Sequence, residues 1–426
     1  MQKHSYSLLF ILCFATSFLR AQNKPDSIHL TLPDAEKMFV TRNLSLIAQK
    51  YNIDINKALV QQAKYWQNPT LTVSQNLDLK TIRQGLVKED NLGHGGQLDV
   101  QLQQVILTAG KRNKLIHLAN DQVLSAEQQF NDLLRNLSFV LHTSMNTLYQ
   151  QQSTFQLYQQ ELTSLEQMVA AMDAEYKAGN ISQKENIRVK ALLYSLQTAQ
   201  ASLETQMADV QRDLRVLLQM GGDSTIVVDM PQMTTDFGTP LPLINLLDTA
   251  RATRPDYLLT QTNVLNQQHN LAYQKSLKAP DVTVGVEYDH ASSYQFNYWG
   301  LGVGLPLPIL NRNKGNINAA QKSIEQAQVQ VTQYQSQIDQ EVQAAYNKWL
   351  ISQKIVGKGA GVLDQPYDNL LQNMIKSYKE RQVSLIEFVD FFDSYKETKS
   401  NRMEQELNLR NAIAELNFTV GKNIIQ

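Results

Sequence analysis

From about Lys111 to Lys177 the chain runs without a glycine or a proline and is rich in Gln, Leu, Ala and Glu. That composition favours one continuous helix. At 1.5 Å per residue it makes a rod on the order of 100 Å long, more than an ordinary globular core can cover. A second stretch, "GNINAAQKSIEQAQVQVTQYQSQIDQEVQAAYNKWL", places Ile317, Ile324, Val331, Ile338 and Ala345 at intervals of seven, with Ala320, Ala327 and Tyr334 between them. This is a coiled-coil seam, so the long helices are expected to pack against one another along their length.

The chain also repeats itself. "PTLTVSQNLD" (69–78) returns as "PDVTVGVEYD" (280–289), "TRNLSLIAQ" (41–49) pairs with "ATRPDYLLTQ" (252–261), and "GGQLDVQLQQVILTAGKRNK" (95–114) pairs with "YWGLGVGLPLPILNRNKG" (298–315). Further on, "AEYKAGNISQKENI" (174–187) pairs with "KSYKERQVSLIEFV" (376–389). The reading is a duplication of residues 22–220 in 243–426, joined by a Gly-, Thr- and Pro-rich linker at 221–242. Each half reads as a short helix, a helix, two strands, a very long helix, a tight turn near 177–183 or 379–385, and a long returning helix.

Four strands are expected, near 69–79, 97–106, 280–290 and 296–307. In the first, Leu71, Val73, Leu77 and Leu79 share one face and Thr70, Thr72, Ser74, Asn76 and Asp78 the other. The second sets Leu98, Val100 and Leu102 against Asp99, Gln101 and Gln103; the third sets Val282, Val284, Val286 and Tyr288 against Thr283, Gly285, Glu287 and Asp289. The fourth sets Trp299, Leu301, Val303, Leu305 and Leu307 against Gly300, Gly302 and Gly304. About ten residues with one apolar face suit a tilted strand between lipid and a wet lumen, although a small soluble sheet on a core alternates equally well. Four strands cannot close a barrel, and an open edge cannot face lipid, so a membrane reading requires further copies: three copies would give twelve strands.

The start, "MQKHSYSLLFILCFATSFLRAQ", has a basic tip and an apolar core of about a dozen residues, and reads as a signal peptide over 1–21. Its Cys13 is the chain's one cysteine and follows the bulky Leu12, which disfavours lipid attachment. Neither a disulfide frame nor a thiolate metal site is available to the remainder. With Lys+Arg 39 against Asp+Glu 40 there is no basic excess for nucleic acid. The seven histidines are scattered, "GLGVG" (300–304) lacks a dinucleotide loop's third glycine, "AGKRN" lacks a P-loop's upstream glycine, and no G-x-S-x-G elbow occurs. No enzyme class, cofactor or metal site is therefore expected, a cell-wall hydrolase included.

Taken together, these residues resemble the outer membrane factor family, the TolC-type efflux ducts, over essentially the whole mature chain. "LPLPILNRNKG" (305–315) is similar to the strand-to-helix junction of the branch that works with RND heavy-metal and drug exporters. "ATRPDYLLTQ" resembles the opening of that family's second repeat, and "YKAGNISQKENI" its hairpin turn. The resemblance implies an α+β membrane protein: a homotrimer with a twelve-stranded outer membrane barrel and a long periplasmic α-helical barrel. It would act as a passive duct for metal cations or small molecules, docked on a periplasmic adaptor and an inner-membrane RND-type pump. The alternative is a periplasmic coiled-coil scaffold or adaptor with no channel.

The resemblance also points to sites. Glu185, Glu387 and Asp390 fall where family members carry acidic residues at the periplasmic gate, and three copies would form rings of negative charge. Tyr176 and Tyr378 precede the two turns and would pack in the constriction or between helices, while Gly179, Asn180, Ser182 and Ser384 would face the adaptor. In the second turn, where well-known members carry an arginine, this chain has Val383, with Arg381 two positions earlier. Tyr288, Phe296 and Trp299 suit an aromatic girdle, as does Tyr294; Lys111, Arg112, Lys114, Arg312 and Lys314 lie just past strands and suit lipid headgroups.

Overall fold

A computed structural model describes residues 27–75, 98–222, 224–231, 233, 242–291, 296–359 and 366–425. In chain order the elements are β1 (Ser27–Thr31), α1 (Leu32–Arg42), α2 (Leu44–Lys64), β2 (Thr70–Gln75), β3 (Leu98–Ile106), α3 (Lys111–Lys177), α4 (Gln183–Leu218) and β4 (Thr225–Asp229). They continue as α5 (Leu243–Thr253), α6 (Pro255–Ser276), β5 (Val282–Ala291), β6 (Phe296–Gly304), α7 (Lys314–Gly359), α8 (Pro366–Lys379) and α9 (Leu385–Val420). The expected signal segment, Leu77 and Leu79 of the first strand, and Tyr294 lie outside the described residues.

Two compact units divide the chain: Met1–Leu44 with Leu134–Leu246 and Val342–Gln426, and Ser45–Leu133 with Leu247–Glu341. Each draws on both halves of the sequence, and α3 and α7 contribute to both units.

The first unit is a helical assembly with a two-stranded parallel sheet, in which β1 pairs with β4 from Ser27 opposite Thr225 to Thr31 opposite Asp229. The linker expectation is corrected here: "TIVVD" is a strand, because Ile226 and Val228 alternate into the interior beside Leu30. Gln152 of α3 serves β4 as a surrogate neighbour, donating Nε2–H to the Ile226 carbonyl (2.7 Å) and accepting the Val228 N–H (3.0 Å). Towards the end of α3 the core joins Leu165 and Met168 to Val189 and Leu196 of α4 and to Phe388 and Phe392 of α9, all buried. In the second half the long helical stretch is described as two helices, Lys314–Gly359 and Pro366–Lys379, the latter opening on a proline, which a first turn tolerates.

The second unit holds one antiparallel sheet ordered β2-β3-β5-β6. The coiled-coil seam on α7 is buried at Ile317, Ala320, Ala327 and Ile338. The junction between α5 and α6 is closed by Arg254, which is 3 % exposed and reaches Asp256 (2.6 Å) and Glu341 (2.6 Å). Proline at the first position of α6 needs no N–H partner, so the chain can turn sharply there. In the first unit the corresponding junction, between α1 and α2, is occupied by buried Asn43, which donates to the Leu217 carbonyl at 2.9 Å.

Candidate channel wall and hairpin tips

The register of the four-stranded sheet puts like beside like. Leu71 faces Leu102, Val73 faces Val100, Leu102 faces Val286, Val100 faces Tyr288, Val286 faces Leu301 and Tyr288 faces Trp299. On the other side Thr72 faces Gln101, Gln101 faces Glu287, Glu287 faces Gly300, and Gly285 faces Gly302. The apolar side is bare in the single chain: Leu301 is 89 % exposed, Val303 75 %, Trp299 69 % and Leu71 63 %. Such a continuous oily face on an isolated chain marks a surface destined for lipid or a partner. The strands β2 and β6 each pair on one side only, leaving two open edges among the described residues.

At one end of the β5–β6 pair the aromatic groups gather. Tyr288 and Trp299 lie 5.1 Å apart, the Tyr288 hydroxyl donates to Asn297 Oδ1 at 2.7 Å, and Phe296 is exposed. At the opposite ends, where strands give way to helices, the basic residues separate into two kinds. Lys111 is corrected: it is buried, with Nζ donating to the Ala279 carbonyl (2.7 Å) and Asp281 Oδ1 (2.7 Å), so it ties α3 to the start of β5 and cannot reach a headgroup. Arg112 lies 4.4 Å over the Trp66 ring, and Arg312 and Lys314 are exposed.

The two hairpin tips share one construction. After α3, Gly179 is left-handed at φ 75°, its N–H donating to the Tyr176 carbonyl and that of Asn180 to the Glu175 carbonyl. After α8, Arg381 takes the same conformation at φ 58°, its N–H donating to Tyr378 and that of Gln382 to Ser377. Each returning helix then opens with a capping box, Ser182 with Glu185 and Ser384 with Glu387. The Ser182 N–H donates to Glu185 Oε2 at 2.8 Å, and the Ser384 N–H to Glu387 Oε2 at 2.8 Å. These hydrogen bonds hold both carboxyls below the usual carboxylate range, so the two sites stay charged. Glu387 and Asp390 are exposed on the first turns of α9, as are Gly179, Asn180, Ser182 and Ser384 at the tips.

Tyr378 and Tyr176 part company. Tyr378 packs 5.4 Å from the Phe388 ring with its hydroxyl 3.3 Å from Met172 Sδ, and burial, then the Glu185 charge, pushes its pKa up. Tyr176 is exposed. Two features escaped the sequence reading. Arg381 Nη2 pairs with Glu175 Oε2 at 2.9 Å, joining the two tips of one chain. Glu161 of α3 is 1 % exposed, and neither of its carboxylate oxygens has a hydrogen-bond partner among the described residues.

Residues 38–219 match the family model described as outer membrane efflux protein. The cobalt-zinc-cadmium resistance protein CzcC of Cupriavidus metallidurans is 22 % identical over 299 residues, 70 % of this chain and 68 % of CzcC. Over this stretch the chain is similar to the outer membrane efflux proteins. Outer membrane protein TolC of Salmonella enteritidis is 20 % identical to this efflux protein over 227 residues, which is 52 % of the chain but only 44 % of TolC. In fold the efflux protein matches crystal structures of CusC with a TM-score of 0.74 at 15 % identity, over 95 % of this chain and 96 % of that one. It is an outer membrane efflux channel, lodged in the outer membrane and extending into the periplasm, and the scaffold alternative is not favoured.

Proposed function

We propose that the efflux protein works as a homotrimer in which three four-stranded sheets close into a twelve-stranded barrel and the long helices of the duplicated halves form a periplasmic α-barrel. The observation that carries this reading is a sheet with an exposed apolar face and, among the described residues, two unpaired edges. In lipid such edges must be paired, and β2 of one copy beside β6 of the next supplies the missing hydrogen bonds. Tyr288, Phe296 and Trp299 then sit in an interfacial girdle, with Arg312 and Lys314 toward headgroups at the inner boundary.

At the periplasmic end, Glu185, Glu387 and Asp390 in three copies form rings of negative charge that favour cations and resist crowding into a narrow mouth. Tyr378 belongs to the packing behind that mouth, and Tyr176 is free to line it. Gly179, Asn180, Ser182 and Ser384 form the surface offered to a periplasmic adaptor, and an inner-membrane RND-type pump drives the cargo. The alignment with CzcC, a protein named for cobalt, zinc and cadmium resistance, favours divalent metal cations as that cargo. Planar-bilayer recording on purified trimer tests the reading: cation-selective steps are expected, and a trimer that passes no current contradicts it.

A further inference from the structure

Folding brings together two histidines that are far apart in sequence. His117 on α3 and His269 on α6, both in the second unit, hold their ring centroids 5.2 Å apart with planes inclined by 33°. Asp121, one turn beyond His117 and buried, lies with Oδ2 2.7 Å from His269 Nδ1. A neutral imidazole that donates Nδ1–H to a carboxylate presents its Nε2 lone pair outward. Neither that Nε2 nor either nitrogen of His117 has a protein hydrogen-bond partner among the described residues.

We propose that His117 and His269 form a two-imidazole site for a divalent transition-metal cation, with Asp121 as its positioning residue. A zinc–nitrogen bond of about 2.0 Å puts each ring centroid ~3 Å from the metal, so two rings on one tetrahedral ion stand about 5 Å apart. The rings already have that spacing. The carboxylate behind His269 fixes its tautomer and ring orientation. No three imidazole or carboxylate groups gather to hold a metal among the described residues, so the remaining coordination positions belong to water. That makes the site open and exchangeable, unlike a closed structural zinc. Elsewhere His142 pairs with Glu36 at 2.7 Å, but among the described residues no ring contact with a second histidine accompanies it, which makes it the internal control.

The test is zinc titration of the detergent-purified full-length protein by calorimetry and equilibrium dialysis. One Zn²⁺ per chain is expected. H117Q and H269A should each weaken binding at least tenfold, D121N by about 10- to 100-fold with partial rescue in D121E, and H142A not at all. X-ray absorption at the zinc edge should show two imidazoles in the wild type. Because His117 is exposed, H117Q is expected to retain the fold, checked by circular dichroism, and its loss of zinc then reads the site itself. Absence of zinc binding in the wild type, or unchanged binding in the H117Q/H269A double variant, overturns the proposal.

Discussion

Lys111 Nζ stands 2.7 Å from Asp281 Oδ1, a contact that closes across 170 positions of sequence and joins the first turn of α3 to the residue before β5. The lysine side chain is 5 % exposed and the aspartate 29 %, and Asp281 also accepts the Thr108 N–H at 2.9 Å. Removing one partner strands the other charge. K111M should therefore cost about 2–4 kcal/mol, reduced from the fully buried case by the partial exposure of Asp281. K111M/D281N should cost less than the sum of the single changes, and R112A, which loses a cation–π contact at a more open site, under ~1 kcal/mol. A double-mutant cycle in chemical denaturation would measure the coupling, and simple additivity would show that the pair does not act as a unit.

Arg254 clamps two carboxylates at the α5–α6 junction, whereas the junction between α1 and α2 is held by the neutral amide of Asn43. Replacing Arg254 by Met should destabilise by roughly 3–5 kcal/mol, because Asp256 and Glu341 lose their shared cation. N43A should cost about 1–2 kcal/mol, the penalty of a lost amide and a bare Leu217 carbonyl. Comparative thermal melts in detergent would rank them, and equal losses would contradict the assignment.

Glu161 gives stability a pH dependence of unusual sign. Burial pushes its pKa up from 4.5 to about 7, and the Lys396 charge offsets only part of that. The folded chain therefore holds this proton more tightly than the unfolded chain, so stability falls as pH rises from about 4.5 to 7 and levels off above. The span is on the order of 3 kcal/mol. E161Q should flatten this dependence, and E161L should raise the melting temperature at pH 8. Melts across pH 5–8 read it directly; identical slopes for wild type and E161Q would remove Glu161 as the cause.

The capping boxes make the tips both rigid and negative. S182A should expose the first turn of α4 and cost about 1 kcal/mol locally, seen as faster amide exchange at Glu185 and Asn186. Since hydrogen bonds lower the pKa of Glu185 and Glu387, their charge is present above the usual carboxylate range and is lost only as pH falls below it. Cation selectivity of the channel should therefore survive acidification to about pH 4.5 and weaken beneath it. Selectivity that vanished already at pH 6 would place the controlling charge elsewhere.

Local chemistry made much of the architecture readable. The span of α3, Lys111–Lys177, was visible because glycine and proline are missing there, and the strands because their period of two survives in four separate segments. The strand β4 was hidden: five residues flanked by Gly and Pro look like linker, and their partner β1 lies some 200 positions earlier. The site residues whose roles depend on distant partners were illegible for the same reason. Lys111 looked like a headgroup contact until Asp281 was beside it, and Arg381 looked displaced until Glu175 was found 2.9 Å away.

The most direct examination of the claim that copies complete the sheet is native mass spectrometry of the purified protein released from detergent. A species of three chains that separates into single chains only on heating is the expected result. A single chain, stable in buffer without detergent, would mean that β2 and β6 find no partners and that the exposed face bearing Leu301 and Val303 never meets lipid.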